Sequence, residues 1–413
     1  MILPGAVLGV LGGGQLGLMF SLAARRMGYR IMVVDPDPDA PAFAVSDRRI
    51  VGSYADPDVL SEVARSCEAV TTEFENVPAP SLAFLEKIRT VRPSSRSVGT
   101  CQDRILEKTF LRDQGFETAP FAVLLDGKLP SPDILRPLLP GILKSSREGY
   151  DGKGQWGIGS IEEMARFMEG RTGSYVLERK LDLKGEFSVV LARDQNGETA
   201  LYPVAENIHA SGILHVSAVP ADISGSLSER ISSVAREIAE RLDYKGVLSV
   251  EFFLAEGDRL YVNELAPRPH NSGHYTIDPC VASQFDQQVR VLAGLPLAST
   301  RLLSPCAMGN LLGDLWQDRS PPPLRTLLKH PSAKLYLYGK KVPRTGRKMG
   351  HFTVLAGSAS EASQKARSLL DSLSSSGCPV GNTPLLWSPA GSLDSSPHSC
   401  REWRFCCPTS FPS

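Results

Sequence analysis

Two carboxylates stand in apolar stretches whose pattern predicts the paired strands of one hairpin. Glu251 lies in SVEFF and Glu264 lies in YVNELAP. Burying carboxylates among valine, phenylalanine and leucine is unfavourable, and two on neighbouring strands repel each other unless a cation lies between them. Together with Asn263 they offer the oxygen ligands that Mg²⁺ prefers, and Mg²⁺ commonly bridges substrate phosphates. The alternative is that both side chains face solvent.

A second feature is the glycine-rich loop from Gly149 to Gln155, within SREGYDGKGQWG. Its glycines let the backbone approach a phosphate closely, and Lys153 adds a positive charge. The spacing does not match GxxxxGK[ST], so this is not a Walker loop, and an exposed hairpin turn is the alternative. Lys144 precedes the loop on a predicted strand, where a lysine is unfavourable unless it meets an anion. The loop, this lysine and the strand carboxylates together favour an ATP site.

The N-terminal sequence GGGQLG, Gly12 to Gly17, follows an apolar strand and opens a helix, and Asp35 lies about 20 residues further on. This arrangement is the fingerprint of a dinucleotide site, because glycines allow a tight turn and a helix N-terminus offers N–H groups to an anion. An α/β turn that binds no nucleotide is the alternative. The ATP-site features further along the chain disfavour a dinucleotide.

Polar and basic residues after the acidic pair are candidates to hold a second substrate. The loop RPHNSGH runs from Arg268 to His274, and KKVPRTGRK carries Lys340, Arg347 and Lys348. Lysine and arginine capture phosphate, and arginine can do so through two parallel hydrogen bonds. The alternatives are that the histidines are ordinary surface groups and that the basic run is a solvated face.

The elements that must position these residues differ along the chain. Residues 1–100 alternate apolar strands and helices, which predicts a parallel, doubly wound sheet. Residues 185–300 predict a mixed sheet with packed helices. That sheet includes one strand over 200–209 and the hairpin that carries the two acids.

The last part of the chain predicts a smaller segment and an irregular tail. Residues 301–375 predict strands over 334–340 and 351–357, followed by a helix over 359–373. From about residue 376 the sequence is rich in Ser, Pro and Cys and lacks periodicity, which is typical of disorder or a poorly packed appendage. A sharper hypothesis is that reading frame or splicing departs from the enzyme near this point.

Composition places the chain among ordinary globular enzymes. Its 413 residues suggest two or three domains, and 45 basic residues balance 45 acidic ones. This balance removes a global electrostatic reason to bind nucleic acid or an anionic membrane. Apolar windows stay shorter than the roughly 18 residues of a transmembrane helix, and Ile2–Val10 lacks the basic leader of a signal peptide. We therefore expect a cytoplasmic location and, from cysteine spacing, free thiols at the first four cysteines.

Taken together, the motifs resemble the ATP-grasp superfamily and, within it, the N5-carboxyaminoimidazole ribonucleotide synthetases. The resemblance runs from residue 5 to about 370, over GGGQLG, TTEFENVP, QDRILEK, GYDGKGQW, NELAPRPHNSGHYT and SQFDQQVR. GYDGKGQW with NELAPRPHNSGH is very specific, whereas GGGQLG alone is weak. It implies an α/β ATP-grasp fold with an N-terminal Rossmann-like pre-ATP-grasp domain and a small C-terminal domain. The domains would be 1–100 (pre-ATP-grasp), 101–300 (ATP-grasp, with a glycine-rich lid near 118–182), 301–375 (C-terminal) and 376–413 (atypical tail).

The resemblance also implies roles for individual residues. The ATP site would comprise Arg104, Lys144, Gly149, Tyr150, Asp151, Gly152, Lys153, Gly154, Gln155, Glu178, Arg179, Lys180, Leu181, Glu186, His209, Asn263 and Glu264. The catalytic charges would be Lys144, Lys153 and Arg268, and the Mg²⁺ ligands would be Glu251 and Glu264. The ribonucleotide site would comprise Gln15, Leu16, Glu73, Asn271, Ser272, His274, Lys340, Arg347 and Lys348. The backbone of 178–181 would face adenine, Glu186 the ribose of ATP, and the helix N-terminus at Gly14 the ribonucleotide.

The implied reaction belongs to de novo purine biosynthesis. Bicarbonate attacks the γ-phosphorus of MgATP to give carboxyphosphate and ADP, and the exocyclic amine of 5-aminoimidazole ribonucleotide captures the carboxyl group or CO₂ released from it. ATP, Mg²⁺ and bicarbonate are therefore expected as cofactors and co-substrate. A homodimer and functional coupling to the mutase that uses the product are expected as well, with no nucleic acid or membrane partner.

Other functions remain open at this point. The sequence PRTGRKMGH stands where the family pattern has RPGRKMGH, and the tail after about residue 376 matches nothing in the family. The alternatives are another ATP-grasp ligase such as formate-dependent glycinamide ribonucleotide transformylase, an NAD-dependent oxidoreductase, and a non-catalytic paralogue. HNSG at 270–273, where the formate-using relative tends to have HDTG, favours the carboxylating enzyme.

Overall fold

The computed structural model describes residues 1–147, 149, 154–316 and 320–374. The strands are β1 (Val7–Leu11), β2 (Arg30–Asp35), β3 (Arg48–Val51), β4 (Ala69–Thr72), β5 (Thr90–Val91), β6 (Phe121–Leu124), β7 (Gly141–Ser145), β8 (Gln155–Ile158), β9 (Tyr175–Arg179), β10 (Leu183–Arg193), β11 (Thr199–Leu201), β12 (Ala205–Ala210), β13 (Ile213–Val219), β14 (Gly246–Ala255), β15 (Arg259–Ala266), β16 (Cys306–Leu312), β17 (Ala333–Leu337) and β18 (Lys348–Leu355). The helices are α1 (Gln15–Arg26), α2 (Pro57–Ser66), α3 (Ala79–Glu86), α4 (Ser95–Cys101), α5 (Arg104–Asp113), α6 (Pro132–Leu135), α7 (Ile161–Met168), α8 (Gly225–Arg241), α9 (Gln284–Ala293), α10 (Leu324–Leu328) and α11 (Ala359–Ser374).

The first sheet is parallel, with strand order β3-β2-β1-β4-β5. Its central strands are almost fully buried apolar runs, as expected when helices cover both faces. The core on one face joins Phe20 of α1 to Phe285 and Val289 of α9, so a helix from much later in the chain packs against it. The prediction of a parallel, doubly wound sheet over residues 1–100 is confirmed.

A small antiparallel sheet of order β6-β9-β7-β8 follows. It carries Lys144 on β7, which pairs with Gln155 on β8. The glycine-rich loop connects these two strands, and its last residue, Gln155, is the one that pairs with Lys144. Tyr150, Asp151, Gly152 and Lys153 of that loop lie outside the described residues.

The largest sheet has the order β15-β14-β10-β12-β13-β16-β18-β17, with β11 added to β10. Every pairing in it is antiparallel, so the prediction of a mixed sheet over 185–300 is wrong. Turns and hairpins join many of its strands, which suits antiparallel pairing. The strand predicted over 200–209 is split into β11 and β12, because Pro203 between them cannot donate a ladder hydrogen bond.

The C-terminal strands belong to this same sheet. β16 pairs with β13, and β18 pairs with β16, so hydrogen bonding continues past residue 300 without a break. α11 covers them through Ala366, Leu370 and Leu373, which lie in one core with Phe352. The predicted domain boundary at 300 thus falls between strands of one sheet, and the irregular tail predicted from 376 lies outside the described residues.

Two broader expectations can be compared with the described ranges. In these ranges, no helix is both long enough and apolar enough to cross a bilayer. Cys67, Cys101, Cys280 and Cys306 are free thiols, as predicted, and all but Cys101 are buried.

Candidate active site

The two strand carboxylates face each other across the hairpin of β14 and β15. Glu251 pairs directly with Glu264, and the register shifts between Glu251 and Phe252, so that Asn263 is an extra residue in β15. Such a bulge changes the direction in which a side chain points and is common beside active sites. Here the Asn263 amide donates to Glu251 Oε2 at 3.3 Å. The bulge therefore brings one amide and two carboxylates together, the three side chains that the sequence pattern named, by a device that the pattern did not predict.

Charge repulsion is built into this acidic pair. Burial, together with the negative charge of Glu264, raises the pKa of Glu251 to about 7. His270 Nε2 lies 3.2 Å from Glu251 Oε1, and Arg104 Nη2 lies 3.5 Å from Glu264 Oε2. The carbonyl oxygen of the Asn263 side chain is buried without a hydrogen-bond partner among the described residues. Two opposed carboxylates and an unpaired amide oxygen fit a divalent cation.

A buried ion triad lies beside the glycine-rich loop. Glu178 Oε2 accepts from Lys144 Nζ at 3.0 Å and lies 3.4 Å from Lys108 Nζ, with all three side chains nearly inaccessible. Burial alone would raise the pKa of Glu178, but the two lysines outweigh it and lower that pKa to about 2. Burial lowers the pKa of Lys144, and Glu178 only partly opposes it. The carboxylate of Glu178 is thus one anion that Lys144 meets on its strand.

Two residues of this region were not predicted from the sequence. Lys108 and Glu107 are both buried on α5, although charged residues of an amphipathic helix usually face solvent. Glu107 Oε1 accepts the backbone N–H of Leu265, next to Glu264. Burial and then the charge of Glu264 raise the pKa of Glu107 to about 8. In the sequence, an acidic residue beside a basic residue on a helix looks the same whether the two are buried or exposed to solvent.

The residues around the loop make defined contacts where the structure describes them. Arg104 Nη2 donates to Gly149 O at 3.0 Å, and Ser145 N donates to Gly154 O at 2.9 Å. Arg104 therefore contacts both the start of the loop and, at 3.5 Å, the carboxylate of Glu264. Gly149, the start of α5 and Glu264 thus line one narrow cavity.

In the segment predicted to face adenine, residues 178–181, two backbone N–H groups already donate hydrogen bonds within the chain. β9 ends at Arg179, not at Leu181, and the N–H groups of Arg179 and Lys180 donate to Pro120 O and Pro140 O at 2.8 and 3.1 Å. The Glu178 side chain is held by the lysines. A nucleotide base bound here would therefore meet carbonyl oxygens or Leu181, rather than these two N–H groups.

Glu186 and His209 form a pair on neighbouring strands. Their atoms Oε2 and Nδ1 lie 3.1 Å apart. Although burial acts to lower the pKa of His209, the Glu186 carboxylate outweighs it, and that pKa is raised. The positive charge of Lys348, in the C-terminal basic run, acts to lower the pKa of His209 and that of His270.

The N-terminal glycine loop encloses a carboxylate of the chain itself. The N–H groups of Gly14 and Leu16 both donate to the side chain of Glu73, the second at 3.2 Å. A Cβ at Gly14 would collide with that carboxylate, and Gly12 has a φ of +111° that only glycine adopts readily. Asp35 accepts from Gly13 N at 2.6 Å and Tyr54 Oη at 2.9 Å. The expectation that the helix N-terminus at Gly14 serves a ligand directly therefore needs correction, because Glu73 already occupies it.

The basic run approaches this same glycine loop. Burial raises the pKa of Glu73 to about 7, and the positive charge of Lys340 acts against that rise. Lys340 Nζ donates to Lys348 O at 3.0 Å and lies 5.5 Å from the centre of the Tyr338 ring. Arg347 Nη1 donates to Val342 O at 2.9 Å. The structure thus brings Gln15, Leu16, Glu73 and the basic run to one region.

Two predicted ribonucleotide contacts, His274 and Ser272, are fully buried. Gln284 Nε2 lies 3.1 Å from His274 Nδ1 and the His351 ring centre lies 4.8 Å from the His274 ring, so His274 is not a surface group, and its Nε2 is buried without a hydrogen-bond partner among the described residues. Ser272 is also fully buried and accepts from Ser188 Oγ at 2.7 Å. Ser272 is thus a buried support of the loop, whereas the role of His274 as a ligand contact stays a prediction.

Two other residues of the same loop remain candidates: Asn271 for ribonucleotide binding and Arg268 for catalysis. Both polar atoms of the Asn271 amide are buried without a hydrogen-bond partner among the described residues. Such atoms are unfavourable unless a ligand or water completes them. Arg268 forms a two-point pair with Glu75, a residue of the loop after β4.

Three family models match the chain, in the order of the predicted domains. The ribonucleotide synthetase preATP-grasp domain matches residues 6–102, the ATP-grasp domain matches 109–285, and the phosphoribosylaminoimidazole carboxylase C-terminal domain matches 306–365. These ranges avoid the tail after 376.

Among curated relatives, the N5-carboxyaminoimidazole ribonucleotide synthase of Bacillus subtilis is 42% identical over 86% of this chain and 93% of its own length. That of Brucella melitensis is 42% identical over 85% of this chain and 96% of its own length.

Solved structures agree with these relatives. An N5-carboxyaminoimidazole ribonucleotide synthetase bound to ADP superposes with a TM-score of 0.82 at 38% identity, covering 90% of this chain and 97% of that one. The Aspergillus clavatus synthase in complex with ADP and 5-aminoimidazole ribonucleotide has a TM-score of 0.81 at 30% identity, covering 89% and 98%. The predicted resemblance and fold class are confirmed: the chain belongs to the N5-carboxyaminoimidazole ribonucleotide synthases, an ATP-grasp family.

Proposed function

We propose how the side chains of this ATP-grasp ligase carry out the reaction of its family. The reaction is the ATP- and bicarbonate-dependent carboxylation of 5-aminoimidazole ribonucleotide to N5-carboxyaminoimidazole ribonucleotide, with release of ADP and phosphate. The observation that carries the assignment is the direct opposition of Glu251 and Glu264, together with Arg104, which contacts both Glu264 and the first residue of the glycine-rich loop. Acidic and basic groups that meet at one edge suit a metal–triphosphate ligand better than a dinucleotide.

The ATP site is assigned to the space between the small sheet and the acidic hairpin. Lys144, Arg104 and, within the undescribed part of the loop, Lys153 would meet the phosphates, whereas Glu186 would accept from the ribose. Glu178 keeps Lys144 in place, because its carboxylate fixes Nζ at 3.0 Å. Phosphoryl transfer depends mainly on such positioning and on the stabilisation of charge.

Magnesium is assigned to Glu251 and Glu264, with the Asn263 amide oxygen beside them. Within the described ranges, no group of three or more His, Cys, Asp or Glu side chains is arranged to hold a metal. The remaining ligands would therefore be phosphate oxygens and water, as is usual for Mg²⁺. When bound, the ion supplies neutralisation of charge on the transferred phosphoryl group.

The ribonucleotide site is assigned to the region of Glu73, Asn271 and the basic run. Since Glu73 fills the N-terminus of α1, a substrate phosphate placed there would meet a carboxylate. The 5′-phosphate therefore belongs with Lys340, Arg347 and Lys348, and Glu73 is left to accept from a hydroxyl or amine of the substrate. Asn271 would complete its two unpaired amide atoms on the same ligand.

Capture of a short-lived acyl phosphate requires the two assigned sites to be adjacent. Lys348 acts on His209 and His270 at the acidic site, while its carbonyl oxygen accepts from Lys340 at the ribonucleotide site. Bicarbonate attack on the γ-phosphorus yields carboxyphosphate, which the amine captures. Arg268 is assigned to the negative charge on this intermediate.

The test is coupled ADP release with each substrate omitted in turn. We expect release to require bicarbonate and to be stimulated by 5-aminoimidazole ribonucleotide, but not by formate with glycinamide ribonucleotide. Glu264→Gln should lower the rate roughly 100-fold because a ligand charge is lost. Glu256→Gln, on the exposed turn of the same hairpin, should leave it unchanged. ADP release independent of bicarbonate, or a Glu264→Gln rate like the wild type, would contradict the assignment.

Assembly and location are proposed on the resemblance alone. We propose a cytoplasmic homodimer that passes its product to the mutase acting next. Sedimentation equilibrium at micromolar concentration tests the dimer, and a monomer mass would refute it.

A further inference from the structure

One loop of the first sheet contacts the residues that follow the acidic hairpin of β14 and β15. It follows β4, and its Glu75 carboxylate receives two N–H groups of Arg268: Nε donates to Oε2, and Nη2 donates to Oε1 at 3.1 Å. The two side chains are mostly buried, with 17% and 20% of the Arg268 and Glu75 side chains exposed. A two-point pair fixes both the plane and the rotation of a guanidinium.

Glu75 is itself firmly held. Gln102 Nε2 donates to the carbonyl oxygens of Glu75 and Val77, which ties the loop to the end of α4. Burial would raise the pKa of Glu75, but the charge of Arg268 outweighs it and lowers that pKa, so the pair is ionised near neutral pH. The loop is therefore a rigid support rather than a passing contact.

The pair lies at the acidic site. Glu75 lines a narrow polar cavity together with Arg104 and Glu264. The charge of Arg268 also acts on His270, whose Nε2 contacts Glu251. The same loop carries Glu73, two residues earlier, at the ribonucleotide region.

We propose that Glu75 is a positioning residue that aims Arg268 at the carboxyphosphate formed in the proposed reaction, and so secures its capture by the amine. In that capture the amine nitrogen bonds to the carboxyl carbon, the bond from that carbon to the phosphate oxygen breaks, and phosphate leaves with the electron pair and the amine proton. Without alignment, water attacks instead and returns bicarbonate and phosphate. ADP is then formed without product. This inference rests on the proposed function.

The experiment measures ADP and carboxylated product in the same reaction at saturating substrates. The wild-type enzyme should give a ratio of ADP to carboxylated product near one. Glu75→Gln should raise the ratio at least threefold while the KM for ATP changes less than twofold, and Arg268→Lys should do the same. Glu75→Asp, which keeps the charge but shortens the side chain, should fall between Gln and wild type.

A matched control is available in Glu117→Gln. Like Glu75, Glu117 pairs with an arginine, here Arg259 at 3.4 Å. Both side chains are more than half exposed, and Arg259 lies at the opposite end of β15 from Glu264. The ratio of ADP to product for Glu117→Gln should equal that of the wild-type enzyme. This separates the effect of the Glu75 pair from the loss of an acid–arginine pair in general.

The outcomes separate the inference from the function on which it rests. If Glu75→Gln lowers ADP and product in equal proportion, Glu75 is merely structural and the inference is overturned. If Glu75→Gln does not fold, the ratio of Arg268→Lys decides, and a wild-type ratio there overturns it. If wild type itself shows no bicarbonate-dependent ADP release, the proposed function fails instead.

Discussion

Glu73 shows most clearly how one side chain changes the chemistry of a site. Its carboxylate accepts two N–H groups at the start of α1 and lies near Lys340 and Asp35. Burial raises its pKa from 4.5 to about 7. In the unfolded chain the carboxyl loses its proton near pH 4.5, whereas the folded protein keeps it until about pH 7, so the stability it contributes is lost as pH rises across this window.

Glu73→Gln removes this pH dependence, because glutamine stays neutral. We expect the stability of the variant relative to wild type to increase by about 2 kcal/mol between pH 5 and pH 8, from the shift of Glu73. Urea unfolding at both pH values measures the difference. Glu229→Gln on the exposed face of α8 is the control. An equal difference at both pH values would contradict the burial of an ionisable carboxyl at this helix end.

Lys340→Ala tests the phosphate assignment. We expect the KM for 5-aminoimidazole ribonucleotide to rise about tenfold or more, since a hydrogen bond to a charged group contributes about 1.5–3 kcal/mol, whereas the KM for ATP changes less than twofold. Initial rates with each substrate varied give both constants. Lys341→Ala is the matched control, because Lys341 pairs with Asp39 on the surface. Equal changes in both KM values would count against the assignment.

Residue types and spacing predicted the acids, the strand lysine and the basic run, but not which polar residues around them are buried. His274 and Ser272 are polar residues in a polar motif, and nothing in their order along the chain distinguishes a ligand contact from a buried support. Lys108 was missed for the converse reason, because its partner Glu178 is 70 residues away and only the fold brings them together. Burial is decided by tertiary packing, which a local pattern does not contain.

Among the elements, α5 connects the small sheet to the acidic hairpin. Its Lys108 meets Glu178 of β9, its Glu107 accepts from the backbone of β15, and its Arg104 contacts the glycine-rich loop. The hairpin was predicted from alternation, whereas the bulge at Asn263 was not, because one extra residue leaves no mark in an apolar pattern. That bulge decides which oxygen atoms meet.

Glu178→Gln should destabilise the folded protein by about 3 kcal/mol or more, because two buried lysines lose their counter-charge. The double variant Lys108→Met/Glu178→Gln should recover part of this loss. Denaturant unfolding measures both. Glu237→Gln, which removes an exposed pair on α8, should change stability by less than about 1 kcal/mol. A Glu178→Gln variant as stable as wild type would show that the triad is not buried.

On the scale of the whole molecule, the described fold ends with α11. This helix buries Ala362, Ala366, Leu370 and Leu373 against β16 and β18, and the C-terminal family model ends at residue 365. The sequence pattern predicted the helix and the last two strands, but it missed β16 and assigned this part of the chain to a separate segment. Strand order across long connections depends on pairings that no window of sequence displays.

A chain ended after Ser374 should keep its thermal midpoint within about 2 °C and its turnover within twofold, because the described core is complete at that point. A chain ended after Ser358 should not fold, since losing four buried apolar side chains at roughly 1–3 kcal/mol each removes most of a typical net stability. Calorimetry and ADP release compare the three proteins. Loss of activity on removal of residues 375–413 would show that the tail takes part in the enzyme.

The large sheet runs without interruption from the acidic hairpin to the strands that flank Lys340 and Lys348. We therefore expect the part of each assigned site that this sheet carries to melt in one transition, and a lesion in the ladder at β16 should lower nucleotide and ribonucleotide affinity together. Such coupling would keep heat from leaving an idle ATPase that consumes nucleotide after the acceptor site is lost.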